Sequence, residues 1–330
     1  MLLFKIHRLS AFRYYRLLHG TMIFLLYGIV SKAQVPVNFD SIFQFASNTE
    51  YYVSALAHDS MQGRATGSFG MVQAATFIAA EMRKQGLRPI RGNNGYFQYY
   101  GKVNEAHPYA AINVVGALPG KNNAEEIIIF SAHYDHLGTG KKSGKKDSIY
   151  NGANDNASGV ALILQLAAYY HRIEPQRTIL FIAFSGEELG LLGSDYFAST
   201  INTRNICAVF NFDMVGRRHR NGVFITQSPH LDRVQQLNKI LGQYDAATYG
   251  TKFFDTQMPI IDMYQRSDHY SFASRGIPAH TIIATPDTDS YYHSPGDEVH
   301  TIDFDFLNQL AQAMFIATVP VANEMPSQKR

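Results

Sequence analysis

Cys207 is the single cysteine of a 330-residue chain, so no intrachain disulfide forms and no thiolate cluster holds a metal. Any bound metal must rely on His, Asp and Glu. Tryptophan is absent, which rules out a pocket walled by indole rings. A general basic excess is missing too. The formal net charge is +2, but residues 1–33 carry five basic residues (Lys5, Arg8, Arg13, Arg16, Lys32) and no acid. The remainder has 24 basic against 27 acidic residues, a net of −3, which gives no electrostatic footprint for nucleic acid. Long apolar runs are lacking as well. Thr21–Val30 (TMIFLLYGIV) is ten residues long, too short to cross about 30 Å of hydrocarbon.

What is present is a globular composition, 46% hydrophobic and 17% charged. The first 33 residues read as an export signal: a basic region from Lys5 to Arg16, the apolar stretch, then Ser31-Lys32-Ala33 with small residues at the cleavage positions. Cleavage after Ala33 is expected, giving an exported protein, periplasmic or extracellular, with no stable membrane insertion. Residues 34–330 then read as one domain.

Within that domain, helices are expected over 40–57, 70–86, 157–171, 191–201, 231–244 and 304–322, from apolar positions recurring at helical spacing. Met61–Ser68 (MQGRATGS) reads as a loop, and so does Gly138–Lys146 (GTGKKSGKK). Short apolar runs at 112–117, 126–132, 178–184, 206–212, 223–226 and 280–284 read as strands. Alternating strands and helices imply an α/β layered domain with buried parallel strands. The fold expected is a three-layer α/β sandwich with a mixed, mostly parallel sheet and helices on both faces, its strand order resting on the family resemblance given below.

Chemistry gathers where those strands end. One run leads into His133-Tyr134-Asp135-His136, another into Ser185-Gly186-Glu187-Glu188, and a third ends at Asp213. Ligands of open α/β sheets bind at the carboxyl ends of the strands. Taken singly, each residue has an ordinary explanation: Asp155 as the N-cap of the next helix, Glu187-Glu188 as an acidic first turn, His293 as a loop imidazole. Together they do not, because stability alone gives no reason to gather acids and imidazoles at neighbouring strand ends. Imidazole and carboxylate suit Zn²⁺, and also Mn²⁺ or Co²⁺. The set is too large for one catalytic zinc with an open position, and it suits two metals sharing a carboxylate and a water. Asp135 lies two residues from His133, on the same side of an extended segment, where it can support that imidazole.

Six segments, SAHYDHLG (131–138), NGANDNASGV (151–160), SGEELGLLGS (185–194), NFDMVGR (211–217), SDHYSF (267–272) and YHSPGD (292–297), resemble the co-catalytic zinc aminopeptidases, the family of aminopeptidase Y and bacterial leucyl aminopeptidase. They occur in family order, and MQGRATGS resembles that family's N-terminal loop. The resemblance implies two Zn²⁺. One would take His133 and Asp213, the other Glu188 and His293, with Asp155 as the bridge and a cis peptide at Asp155–Asn156. It implies Glu187 as general base, Asp135 as support for His133, and Tyr292 as a hydrogen-bond donor to the oxyanion. Asp268 and His269 match a pocket-lining motif. Expected substrates are peptides with a free N-terminus, cut at the first peptide bond. No inserted protease-associated domain fits between Gly86 and Ile112. A glutaminyl cyclase or a carboxypeptidase or dipeptidase on the same scaffold are the alternatives, and a lack of tryptophan weighs against the cyclase. A binding module without catalysis would not need all five ligands and Glu187.

Overall fold

The computed structural model describes residues 37–104, 108–140, 148–219, 222–226, 231–250, 252–256, 264–285 and 289–323. The chain divides into Met1–Asn38 and Phe39–Arg330. The expected export signal lies outside the described residues. Among them, no helix is long and apolar enough to cross a membrane.

Among the described residues the strands of the main sheet are β1 (Phe97–Tyr100), β2 (Ala111–Leu118), β3 (Asn123–His133), β6 (Arg177–Phe184), β7 (Ile206–Asp213), β8 (Val223–Ile225), β9 (Phe254–Asp255) and β10 (Ala279–Ile283). These eight strands lie in the order β1-β2-β6-β3-β7-β10-β8-β9. A separate two-stranded ribbon pairs β4 (Gly138–Thr139) with β5 (Ile149–Tyr150). The central strands β6, β3, β7 and β10 run parallel. Antiparallel pairs join β1 to β2, β2 to β6 and β10 to β8. The mixed, mostly parallel sheet expected from the sequence is therefore found.

Period-two alternation sorts the strand residues between two layers. On one face Phe130 stacks on Phe181 and Phe210 at 5.6 Å between centroids. Tyr170 of α4 (Ser158–Tyr170) closes over Phe130, and Phe315 of α8 (Phe304–Asn323) meets Tyr170 edge-on. On the other face Ile129, Leu180, Ile182, Phe184 and Val209 pack with Phe197 of α5 (Leu192–Thr200) and Phe272 of α7 (His269–Ala273). Both faces are covered, which explains why the central strands read as near-continuous apolar runs.

Three local readings are corrected. The helix expected over 40–57 is broken into α1 (Phe39–Phe43) and α2 (Thr49–Leu56). The Ser47 hydroxyl accepts the Thr49 N–H, and Gln165 Oε1 accepts the Asn48 N–H, so side chains replace the helical bonds there. The loop expected at Met61–Ser68 is overlapped by a tight helical turn, Asp59–Arg64, that bends through left-handed Gln62, Gly63 and Arg64. Gly63 permits the bend, since a Cβ there would lie 2.3 Å from the Gly138 carbonyl oxygen. Gly138 and Thr139, expected in a loop, form β4, while 141–147 lie outside the described residues.

That turn, together with α3 (Phe69–Lys84) behind it, carries Arg64 into the interior, where its side chain is fully buried. Its guanidinium donates to the carbonyls of Tyr134 (2.7 Å), Leu56 (2.6 Å), Asn151 (2.6 Å) and Gly152 (3.0 Å). Arg64 thus ties the segment after β3 to the segment before α4. Burial pushes its pKa down to about 10, opposed by Asp297, Asp155, Asp135 and Glu188, so it remains a cation at neutral pH. Arg64→Met strands four buried carbonyls. It is expected to lower unfolding free energy by at least about 3 kcal/mol, read from urea denaturation curves.

Candidate metal centre

His133 closes β3, Asp213 closes β7, and Glu187 and Glu188 follow β6, so three adjacent strands deliver their ends to one edge. Register sets the side-chain direction. Ser131 pairs with Asn211 across β3 and β7, and the next residues of the same parity are His133 and Asp213. A buried polar chain runs beneath them. Ser131 donates to Asn211 Oδ1 (2.8 Å), the Asn211 amide donates to Ser267 Oγ (2.9 Å), and Ser267 donates to Asp213 Oδ2 (2.7 Å). Asp213 is left with Oδ1 facing His133 Nε2 at 3.4 Å.

Asp155 lies in a one-turn segment, Ala153–Ala157, ahead of α4, and its peptide bond to Asn156 is cis. Its oxygens point in two directions. Oδ1 is 3.4 Å from His133 Nε2, and Oδ2 is 3.3 Å from His293 Nε2. The ordinary reading of Asp155 as an N-cap is thereby corrected. Asn156 takes that part, its Oδ1 accepting the N–H of Gly159 (3.0 Å) and of Met214 (3.3 Å). The segment is held by Asp297, whose carboxylate accepts the N–H of Asn154 (3.0 Å) and Asp155 (2.9 Å). Arg217 pairs with Asp297 at 2.8 Å. Neither Asp297 nor Arg217 stood out in the sequence beyond belonging to the motifs YHSPGD and NFDMVGR.

His293 adopts φ +50°, in the left-handed region, and so does Met214 (φ +51°), the residue after Asp213. A non-glycine residue in that region costs of order 1–3 kcal/mol and turns up at sites that need the resulting direction. Here it aims His293 Nε2 at Glu188 Oε2 (3.2 Å) as well as at Asp155. Tyr292 stacks on the His293 ring, centroids 3.9 Å apart, and packs against Met214, Phe224 and Ile283. Burial, with Asp155 and Glu188 next, holds its phenol well above the ordinary tyrosine range, so it keeps its proton.

The five expected ligands therefore converge, and their donor atoms are spaced as the ligands of a metal centre would be. Donors bound about 2.0–2.1 Å from one tetrahedral zinc lie about 3.3–3.4 Å apart. The pairs His133–Asp155, His133–Asp213, His293–Asp155 and His293–Glu188 measure 3.4, 3.4, 3.3 and 3.2 Å. Donor atoms of His133, Glu187 and Asp213 form one group, and those of His136, Asp155 and Glu188 another. Asp135 sits behind His133, whose Nδ1 is 3.2 Å from its carbonyl oxygen and 3.7 Å from Oδ1. Its carboxylate accepts from the Thr66 hydroxyl (2.8 Å) and the Glu187 N–H (3.3 Å), which joins the MQGRATGS segment to the end of β6.

Burial and charge crowding together set the protonation of the site. Glu187 is held well above the usual carboxylate range, first by burial and then by Asp213, Asp268 and Glu188, against the pull of His133. Glu188 is held low despite its burial, because His136 and His293 hydrogen-bond to it. Burial disfavours a charge on His133, but Glu187, Asp135 and Asp213 outweigh it and raise its pKa. His269 stands apart. Its Nδ1 is 2.7 Å from the Thr281 hydroxyl and its Nε2 is 3.2 Å from that of Thr226, and burial pushes its pKa down to about 3. It is a neutral packing imidazole. Asp268 is fully buried near the cluster, and burial, reinforced by Asp135 and Asp213 against His133, pushes its carboxyl up to about 7. The folded chain then holds a proton between about pH 4 and 7 that the unfolded chain releases, so stability falls as pH rises through that window. In chelator-treated protein, Asp268→Asn is expected to melt with a shallower decline from pH 4 to 7 than the parent, read by thermal unfolding at each pH.

Comparison with known proteins agrees with this geometry. Residues 113–318 match the model of peptidase family M28. A probable zinc metalloprotease of Pyricularia oryzae is 28% identical over 78% of this chain and 59% of its own length. Aminopeptidase YwaD of Bacillus subtilis is 26% identical over 66% of this chain and 46% of its own. The chain thus spans about half to three-fifths of the length of these relatives. The solved structure of an aminopeptidase from Aneurinibacillus sp. strain AM-1 superposes with TM-score 0.65 at 17% identity, covering 87% of this chain and 97% of that one, which establishes the shared fold. On the matched segment, which carries all five converging ligands and Glu187, the chain belongs to peptidase family M28.

Proposed function

We propose that the protein is an exported, two-metal aminopeptidase that hydrolyses the first peptide bond of peptides with a free N-terminus. The observation that carries this reading is the spacing of the donors around Asp155, whose two oxygens serve His133 on one side and His293 on the other. His133 and Asp213 would hold one metal, Glu188 and His293 the second, and Asp155 both. Two bound zinc ions would supply Lewis acidity to an attacking water and to the scissile carbonyl.

The chain's own residues do the proton work. Glu187 neighbours His133 and Asp213 without belonging to the four matched pairs, and its raised pKa suits a group that takes a proton from water and returns it to the leaving amine. Asp135 and Ser267 hold the faces of His133 and Asp213. Tyr292, still protonated at neutral pH, is the candidate donor to the developing oxyanion. The surrounding carboxylates favour a substrate carrying an ammonium group, which supports cleavage at the N-terminus. Export rests on the arrangement of residues 1–33.

Purified protein is expected to release p-nitroaniline from aminoacyl-p-nitroanilides, to stop on chelation and to recover with Zn²⁺. Glu187→Gln should lower kcat by about 10²–10⁴-fold with metal content unchanged. Chelator-insensitive release would sink the metal reading. Cyclisation of N-terminal glutamine peptides without hydrolysis, or dependence on a free substrate carboxylate, would redirect it to the cyclase or the carboxypeptidase. For export, mass spectrometry of protein recovered outside the cytoplasm should find Gln34 at the N-terminus; an intact Met1 start there would refute cleavage.

A further inference from the structure

The second metal position contains one imidazole more than its ligand set uses. His136 is 1% exposed, and its Nδ1 lies 2.8 Å from Glu188 Oε1 and 3.7 Å from Asp155 Oδ2. Its ring meets that of His293 edge-on, centroids 5.7 Å apart. The seat for the ring is made by Gly152, at φ +56°, where a Cβ would come within 2.7 Å of His136 Cδ2. Nothing larger than glycine fits beneath this imidazole.

The distances separate His136 from the ligands. Pairs that share a tetrahedral metal stand about 3.3–3.4 Å apart, and the four ligand pairs of the site fall at 3.2–3.4 Å. At 2.8 Å from Glu188 and 3.7 Å from Asp155, His136 fits a hydrogen bond to one oxygen of Glu188 instead. We infer that His136 is a positioning residue for the second metal: its Nδ1–H donates to Glu188 Oε1 and thereby fixes Oε2 beside His293 and Asp155. This rests on the two-metal reading of the site. The bond sets the tautomer. Nδ1 carries the proton of that bond, and Nε2 is buried without a hydrogen bond among the described residues. Glu188 then matches Asp213 on the other side, where Ser267 takes one oxygen and leaves the other for the metal.

The test uses Co²⁺ as probe on the chelator-treated full chain, with titration calorimetry for affinity and the visible Co²⁺ absorption for ligand geometry. His136→Asn places an amide donor where Nδ1 stood, whereas His136→Leu has none. The parent is expected to bind two Co²⁺. His136→Leu should keep the first affinity and weaken the second by about 10–100-fold, and His136→Asn should recover most of that loss with a parent-like spectrum. Unchanged second-site affinity in His136→Leu overturns the proposal. Equal loss in both variants with an altered Co²⁺ spectrum makes His136 a ligand and also overturns it. Should His136→Leu fail to fold by circular dichroism, His136→Gln, whose amide reaches the Nε2 place instead, takes its part, with Asn expected to bind more tightly. A parent that binds fewer than two Co²⁺ refutes the two-metal reading itself, whatever the variants do.

Discussion

Asp155 must present its two oxygens in opposite directions, and much of the surrounding structure holds it in that pose. The segment that bears it is stitched to three other parts of the chain. Asp297 takes the N–H groups of Asn154 and Asp155, Asn154 Oδ1 accepts the Gly216 N–H, and the Asn156 amide donates to the Phe212 carbonyl. Arg217 ties Asp297 back to the end of β7. The same bonds that set Asp155 also set the distance between the strand-borne ligands and the loop-borne His293. A group that must touch two partners at once tolerates little error, and rigid support from several directions is how such precision is reached.

Electrostatics is the second constraint. Asp135, Asp155, Glu187, Glu188 and Asp213 meet in a small volume, and like charges that close oppose their own ionisation. Arg64 is a nearby cation that lies buried, bound to carbonyls rather than paired to any one acid, while Arg217 pairs with Asp297. Arg64 offsets part of the negative field without competing for the ligand oxygens. The remainder of the imbalance would favour a bound divalent cation. Glu187 and Asp268 are both raised in pKa, first by burial and then by the neighbouring carboxylates.

The sequence revealed the sheet and the ligands because both leave local signals. Buried parallel strands are written as apolar runs, and a carboxylate or imidazole at the end of such a run is conspicuous. The break after Phe43 was hidden, since Ser47 and Asn48 act through Gln165, more than a hundred residues away. His136 lies in its motif without a signal of its own, because nothing in the sequence tells whether its ring meets Glu188 or solvent. Asp297 and Ser267 escaped for the same reason: their targets, the Asp155 N–H and Asp213 Oδ2, are contacts made only by the tertiary fold. Asp155 was legible as an acid before a helix, yet which of Asp155 and Asn156 caps that helix depends on the backbone path between them.

The five candidate ligands come from segments between His133 and His293, and none of the close donor pairs among them is local in the chain. An unfolded chain therefore has no ready-made chelate, and on the proposed two-metal reading the ions would bind the folded form almost alone. By mass action, each site filled at a hundred times its dissociation constant adds about 2.7 kcal/mol to stability. The melting temperature of such a protein is consequently a gauge of the free metal around it. Metal-poor surroundings would silence the site and, in the same stroke, loosen the scaffold that carries it.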